Sequence, residues 1–494
     1  MDSILNSGNV SLLNRSKWLN SITISTTDSS LIGLINSYSF VKNSIRWKKT
    51  KSKFSEEKLA RDFTKVLPEE IQRGSKNQID DFNSIPSKKL NVAGFDYGPS
   101  FNQVNMINAD FLHNLGFRGE GMLIAVLDAG FISADTMAAF DNLFQTNRII
   151  ATRNFVDGND SVFKSATHGT YVLSTMAAEL PSLIVGTAPK ANYMLFITED
   201  ILSETIIEEF NWVSAAEFAD SAGADIINSS LGYTTFDDST QNHTYAEMDG
   251  NTAIASTGAD IASAKGILVV VSAGNSGNGP WHFIGVPADA DSALTIGAVD
   301  ASKIYASFSS KGPSADGRVK PDVCAQGQGT VIATSNDSIT WGSGTSFSSP
   351  IMAGAAACFW QSAPGKSNIE IADFIRKSAS QYNNPDTLMG YGIPDFKSAY
   401  ESLTNKIFTD TDSFVIYPNP FTEKLFVDYY STDKKIISMA VFDVSGKKIM
   451  NLEKTLSEGL NRISIEKNSL SGNSPNILQI KNGAKTVKEI VIKL

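Results

Sequence analysis

A chain of 494 residues is too long for one ordinary globular core, and its length predicts several units, at least one of them with a large core. With 42% hydrophobic and 19% charged residues it has a soluble composition, and no uninterrupted apolar run approaches the about eighteen residues of a membrane helix, which excludes a transmembrane anchor. A formal net charge of -10 argues against nucleic acid or acidic lipid as the main partner.

Met1 is followed by Asp-Ser-Ile-Leu-Asn, with neither a basic n-region nor an apolar h-region, so either the protein stays inside or its true start lies upstream. Residues 1–94 are rich in Ser, Asn and Lys. The alternation from Trp18 to Ile24 and the apolar periodicity from Leu31 to Val41 predict strand, helix and strand, followed by a charged region over 46–81. Within it, Arg46-Trp47-Lys48-Lys49-Thr50-Lys51 reads as a solvated linker or a processing region.

From Gly121 the texture changes. Met122 to Leu127 runs apolar into Asp-Ala-Gly, and Ile267 to Val271 runs apolar into Ser-Ala-Gly-Asn, the pattern of strands buried on both faces. Helical patterns at 168–180, 204–222, 252–265 and Pro350 to Gln361 alternate with such runs, predicting a doubly wound α/β domain with a mostly parallel sheet over 95–400. Ligands of such sheets bind beyond the carboxyl ends of the strands, where Asp128 and Asn275 fall.

A polar linker, 401–412, carries Asp410 and Asp412 and leads into Phe414-Val-Ile-Tyr-Pro-Asn-Pro420. Short alternating runs follow at Leu425 to Tyr429, Ile437 to Val444, Leu460 to Ile465, Ile477 to Ile480 and Val487 to Ile492, with Gly446 and Gly483 in turns. They predict a small β-sandwich over 413–494. Cys324 and Cys358, the only cysteines, read as buried thiols rather than a disulfide framework or a metal site.

Four segments carry chemistry. Ile124 to Gly130 sets the Asp128 carboxylate at the tip of a buried strand, where it can orient an imidazole, although such an Asp also serves as a helix cap. Thr167-His168-Gly169-Thr170 puts one of only four histidines at a helix start, beside a small residue that lets a substrate backbone approach. Val271 to Gly277 holds Asn275 on a glycine-flanked loop, from which its amide can donate to an oxyanion, though a plain turn reads equally well. Gly342-Ser-Gly-Thr-Ser346-Phe-Ser-Ser-Pro350 opens into the apolar helix Ile351 to Trp360, so Ser346 lies at a helix N-terminus that favours developing negative charge.

Together these segments resemble the Asp, His, Asn and Ser boxes of the subtilisin-like serine proteases, in that family's order. Ile226-Ile-Asn-Ser-Ser-Leu231-Gly232 and Lys320-Pro321-Asp322-Val323 also resemble stretches of it; Leu173 departs, standing where the family usually has a smaller residue. The resemblance implies a secreted endopeptidase acting through Asp128, His168 and Ser346, with Asn275 and the Ser346 N–H as oxyanion donors. It further implies a substrate-pairing edge strand at Ser229, Leu231 and Gly232, faced by Ala273 and Gly274 as pocket walls. No carboxylate stands in those walls, which favours broad or apolar side chains before the scissile bond. No Gly-x-Ser-x-Gly elbow occurs, which disfavours other serine hydrolases and leaves an inactive, peptide-binding relative as the rival.

The reaction itself calls for no cofactor. Relatives bind calcium in Asp- and Asn-rich loops, and Asp237-Asp238, Asp249-Gly250-Asn251 and Asp289-Ala290-Asp291 are candidates for structural calcium, although none completes a loop signature. His113, His243 and His282 receive no role. Trp18 to Ile24 with Phe40-Val41 resembles the back half of the family's inhibitory propeptide, its front half and any signal peptide lying upstream of Met1. Tyr417-Pro-Asn-Pro420, Val441-Phe-Asp-Val-Ser-Gly446 and the final Val491-Ile-Lys-Leu494 resemble the type IX secretion sorting domain, implying export across the outer membrane with that machinery as partner; a substrate-binding sandwich is the rival reading.

Overall fold

The computed structural model describes residues 1–47, 95–404, 413–417, 421, 424–457, 459–470, 475–482 and 485–493. Most of the charged region 46–81, the linker residues Asp410 and Asp412, the motif residues Pro418 to Pro420, and Gly483 lie outside them. The chain divides into two compact units, one holding the described parts of 1–110 and 117–396, the other Phe111–Gly116 with 397–494.

At the N-terminus β1 (Val10–Ser16) and β2 (Ser21–Thr26) form an antiparallel hairpin, followed by α1 (Leu31–Ser37). The sequence placed the first strand at Trp18. Instead, residues 17–20 are the hairpin turn, closed by the Asn20 amide donating to Lys17 O at 3.2 Å, with Asn20 at φ 48°, a left-handed conformation that Asn tolerates. Phe40-Val41 forms no strand either, since Val41 N bonds Tyr38 O in a turn.

Next come β3 (Leu123–Asp128), β4 (Ile149–Asn154), α2 (His168–Ala177), β5 (Asn192–Ile197), α3 (Ile207–Ser221), β6 (Ile226–Ser229), α4 (Ile254–Ala264), β7 (Leu268–Ser272), β8 (Leu294–Val299), β9 (Val323–Gln326), the hairpin β10 (Thr330–Ala333) and β11 (Ile339–Gly342), α5 (Thr345–Gln361) and α6 (Asn368–Lys377). Seven strands form one parallel sheet in the order β9-β8-β7-β6-β3-β5-β4. Every residue of β3, β6, β7 and β8 is buried, because helices cover both faces. The strand order sets the site. β6 lies between β3 and β7, and all three run the same way, so Asp128, Ser229 and the loop after Ser272 emerge side by side.

Helix α5 is apolar almost all round, and Thr345 to Phe359 are buried, as expected for a helix inside a large domain. It starts earlier than its sequence suggests: Pro350, which reads as a first-turn residue, sits in the interior.

Helix α4 takes its N-terminal cap from a neighbour. Ala253 has no side chain to offer, and Glu209 of α3 accepts the Ala255 amide at 3.0 Å while its other oxygen meets His243 Nε2 at 2.6 Å. Thus His243, given no role above, holds a fully buried carboxylate in place. Burial pulls the imidazole pKa down, but the hydrogen bond and charge of Glu209, with Glu247 and Asp289, outweigh it and raise the pKa overall. Charging of His243 therefore stabilises the fold fully below its unfolded pKa, near 6.5, and the gain is lost as pH rises through the higher folded value. His243→Gln is expected to flatten the pH dependence of Tm in that window, read by calorimetry from pH 6 upward; an unchanged slope would show that the pair does not titrate there.

In the second unit, β12 (Ser413–Tyr417), β13 (Lys424–Ser431) and β16 (Gly459–Glu466) form one antiparallel sheet. β15 (Lys448–Leu456), β14 (Lys435–Phe442), β17 (Asn476–Asn482) and β18 (Lys485–Val491) form the other. Leu425, Val427, Ile463 and Ile465 of the first share a core with Ile437, Met439, Leu478 and Ile480 of the second, as in a small sandwich. β15 was not predicted from sequence, because four of its nine residues are charged or amide-bearing and blur the alternation. Val444 is not in a strand: the chain turns after Phe442 and leaves it 69% exposed. Facing each other across β13 and β16, Asp428 and Arg462 form a bidentate pair at 2.8 and 2.9 Å.

Candidate active site

Asp128 is the last residue of β3 and wholly buried, and its Oδ1 accepts from His168 Nδ1 at 2.8 Å and from the Ala129 amide at 2.8 Å. A carboxylate only accepts, so the bond assigns the imidazole proton to Nδ1 and leaves Nε2 as the basic nitrogen. His168 is the first residue of α2 and 2% exposed. The glycine after it is required by packing: a Cβ on Gly169 would meet Gly130 O at 2.5 Å and the Phe131 ring at 2.7 Å. The loop after Asp128 is thereby packed directly onto the first turn of α2. Leu173, the one departure in this box, is completely buried within the same helix.

Ser346 lies in the first turn of α5, 5% exposed. The next residue, Phe347, sets its ring 6.3 Å from that of His168, so the first turn of α5 stands beside the imidazole. Among the described hydrogen bonds none joins Ser346 Oγ to the imidazole; bonds of this kind commonly tighten only in the substrate complex.

Asn275 follows β7, and its side-chain oxygen accepts both the Thr345 amide at 2.9 Å and the Thr345 hydroxyl at 3.0 Å. Those two donors fix which way the amide faces. Nδ2 is left to donate elsewhere, and it lies beside Gly344, where a Cβ would come within 3.5 Å of it. The Thr345 hydroxyl also accepts the Gly274 amide at 3.1 Å, tying the Asn275 loop to the helix that carries Ser346. Sequence reasoning gave Thr345 no part here; its adjacency to Ser346 was the available signal.

The wall residues separate into two groups. Ser229 and Ala273 are completely buried, with Ser229 Oγ accepting the Trp212 indole N–H at 2.9 Å. β6 is a central strand of the sheet and not an edge, so Ser229 pairs with strands on both sides. Beyond it the chain leaves the sheet, and Leu231 becomes half-buried and Gly232 exposed. Tyr233 then pairs with Val286. Gly274, at φ 99°, faces Ser310 Oγ, which a Cβ would meet at 2.9 Å.

The carboxylates of the three acidic loops accept local hydrogen bonds. Asp249 accepts the Asn251 and Thr252 amides, Asp238 the Thr240 amide, and Asp289 the Gly250 amide. Arg318 brings its guanidinium to Asp291 at 3.1 Å, to Asp316 at 2.7 Å and to the carbonyl of Asp289 at 2.8 Å, supplying the positive charge internally. Among the described residues no group of three or more His, Cys, Asp or Glu side chains could hold a metal ion.

Comparison with known proteins gives this arrangement its context. Residues 119–392 match the model of the Subtilase family, and residues 415–493 match that of the secretion system C-terminal sorting domain. Subtilisin DY of Bacillus licheniformis is 30% identical over 279 residues, covering 56% of this chain and 90% of that protein. Subtilisin E of Bacillus subtilis (strain 168) is 30% identical over 287 residues, covering 57% of this chain but 66% of that protein, just under two thirds. Subtilisin of Bacillus pumilus is 29% identical over 302 residues, covering 60% and 97%. Among solved structures, Prenylagaramide maturation protease PagA covers 60% of this chain and 99% of its own at TM-score 0.47 and 21% identity.

Proposed function

The chain belongs to the subtilase family of serine proteases, and on that premise we propose that it is an endopeptidase whose triad is Asp128, His168 and Ser346. The observation that carries this reading is the buried 2.8 Å bond between His168 Nδ1 and Asp128, set beside the helical turn that presents Ser346. In it, His168 Nε2 takes the Ser346 proton as Oγ attacks the scissile carbonyl, and later returns that proton to the leaving amine. Asp128 holds the imidazole in the required tautomer and stabilises the imidazolium. Asn275 Nδ2 and the Ser346 N–H donate to the oxyanion, and the Thr345 contacts keep the amide facing that way. The backbone of half-buried Leu231 and exposed Gly232 offers the extended peptide its pairing edge, and the lack of a carboxylate in the wall segments favours broad or apolar residues before the cleaved bond. The proposed reaction calls for no cofactor, and the acidic loops at 237–238, 249–251 and 289–291 are the places where structural calcium would bind.

The sorting domain at 415–493 marks the chain for export across the outer membrane to a secreted or cell-surface location. Among the described residues no helix is long and apolar enough to cross a membrane. The rival reading, a catalytically inactive peptide binder, has no lost triad member to support it. The propeptide reading of the N-terminal hairpin is supported by its docking on α3. Glu217 accepts Ser16 Oγ at 2.9 Å and the Lys17 and Trp18 amides at 2.9 and 3.2 Å, and Asn14 bonds Asn211 at 2.6 Å.

A serine-directed phosphonate is the direct test. Incubated with the purified protein and mapped by mass spectrometry, it should attach at Ser346, and a peptide library digested in parallel reads the preference. Absence of label from protein that is folded would sink the proposed chemistry.

A further inference from the structure

We propose that Ser230 is a positioning residue, whose hydroxyl holds the backbone carbonyl of Ser346 that Pro350 leaves without a helical donor. The inference deepens the reading above and rests on Ser346 being the nucleophile. Inside a helix each carbonyl accepts the amide four residues ahead; for Ser346 that residue is Pro350, which has no N–H and whose ring crowds the carbonyl. An orphaned carbonyl in a buried turn is costly and free to swing. Here it is taken: Ser230 Oγ donates to Ser346 O at 3.0 Å.

The bond is one of a set. Ser230 Oγ accepts Asn228 Nδ2 at 3.2 Å, and Asn228 Oδ1 accepts Ser349 Oγ at 2.9 Å. Asn228 and Ser349 are fully buried and Ser230 is 5% exposed. The end of β6 therefore grips the first turn of α5 at Ser346 and again at Ser349. A Ser346 carbonyl fixed in this way fixes the Cα beside it, hence the direction of both Oγ and the N–H offered to the oxyanion. Pro350 removes the regular helical bond, and the substrate-side chain supplies its replacement, so the nucleophile takes its position from the same segment that leads into Leu231 and Gly232.

A double-mutant cycle tests this, because Pro350→Ala returns an N–H at position 350 that can satisfy the Ser346 carbonyl within the helix. Ser230→Ala alone should lower kcat and the phosphonate labelling rate roughly ten- to a hundredfold, as sub-ångström misplacement does, with KM changed by less than about threefold. In the Pro350→Ala background the same substitution should cost less than about threefold. Should Ser230→Ala fold poorly, the isosteric pair Ser230→Thr and Ser230→Val makes the same comparison, with the hydroxyl restoring the rate and the methyl failing to. Equal losses in both backgrounds, or a loss confined to KM, would overturn the inference and show Ser230 to be ordinary packing. Wild-type protein that takes no label would overturn the nucleophile assignment and this inference with it, whereas labelled wild type with equal losses sinks this inference alone.

Discussion

Replacing Ser346 by alanine is expected to lower kcat on a peptide substrate on the order of a millionfold, a magnitude carried over from subtilisin. The loss is of chemistry and not of fold. Among the described residues Ser346 Oγ holds no hydrogen bond, while the Ser346 backbone keeps its bond to Ser230, so Tm should stay within the range of a neutral substitution. Adding His168→Ala to the Ser346→Ala protein should cost almost nothing more, because a base without its nucleophile has no proton to take. What remains, some thousandfold over water, is expected to come from the oxyanion donors Asn275 and the residue 346 amide together with substrate binding. Casein-degrading activity of the purified variant is the measurement. Activity that survives the single change would refute the triad, and additive losses from the two changes would show that Ser346 and His168 do not act as one unit.

Much of this site was legible in the sequence because its parts are local. Asp128 and Asn275 each end an apolar run, and a run that ends in a turn residue within a parallel sheet places that residue at the ligand-binding edge. Position along the chain was therefore almost position in space. What could not be read depends on partners distant in sequence. The Thr345 hydroxyl matters because Asn275, far upstream, comes to rest against it. Ser230 matters because Pro350 disables a helical bond in α5, and Pro350 itself misled, since a proline at the head of an apolar run is an ordinary helix start. Phe347 faces His168 only once α2 and α5 pack together. The surroundings of the acidic loops were hidden for the same reason, since only the fold brings Arg318 beside Asp291 and the Asp289 carbonyl.

The largest effect on stability is expected at Asp322, just before β9 and outside the catalytic centre. Its Oδ2 accepts Lys320 Nζ at 3.0 Å and the Thr295 amide at 2.8 Å, and its Oδ1 accepts Arg376 Nε at 2.7 Å. The Lys320 and Asp322 side chains are 3% and 6% exposed, so one carboxylate neutralises two cations in a nearly dry place. Burial pushes the Asp322 carboxyl up, yet Arg376, Lys320 and the Thr295 amide outweigh it and hold its pKa below the usual range. For Lys320 burial wins and the pKa falls, although Asp322 opposes it. The ammonium is thus the weaker partner, and it is steadied by Ala293 O at 2.8 Å and Thr295 Oγ1 at 3.0 Å. Asp322→Ala would leave two buried cations facing each other and an amide without an acceptor, at a cost of about 3–5 kcal/mol. At about 2–4 °C per kcal/mol for a domain of this order of size, Tm should fall by roughly 10 °C. Lys320→Met should cost less, because Arg376 still pairs with the carboxylate and a buried ammonium is no longer required. Since the folded pKa of Asp322 is depressed, its contribution is complete above the unfolded value near 4 and fades as pH falls through the folded value. The wild-type and Asp322→Ala stabilities, measured by denaturant titration, should therefore lie far apart at neutral pH and draw together in acid. A gap below about 1 kcal/mol at pH 7, or one that persists unchanged at pH 3, would mean that the charges at 320, 322 and 376 do not support the fold as their geometry indicates.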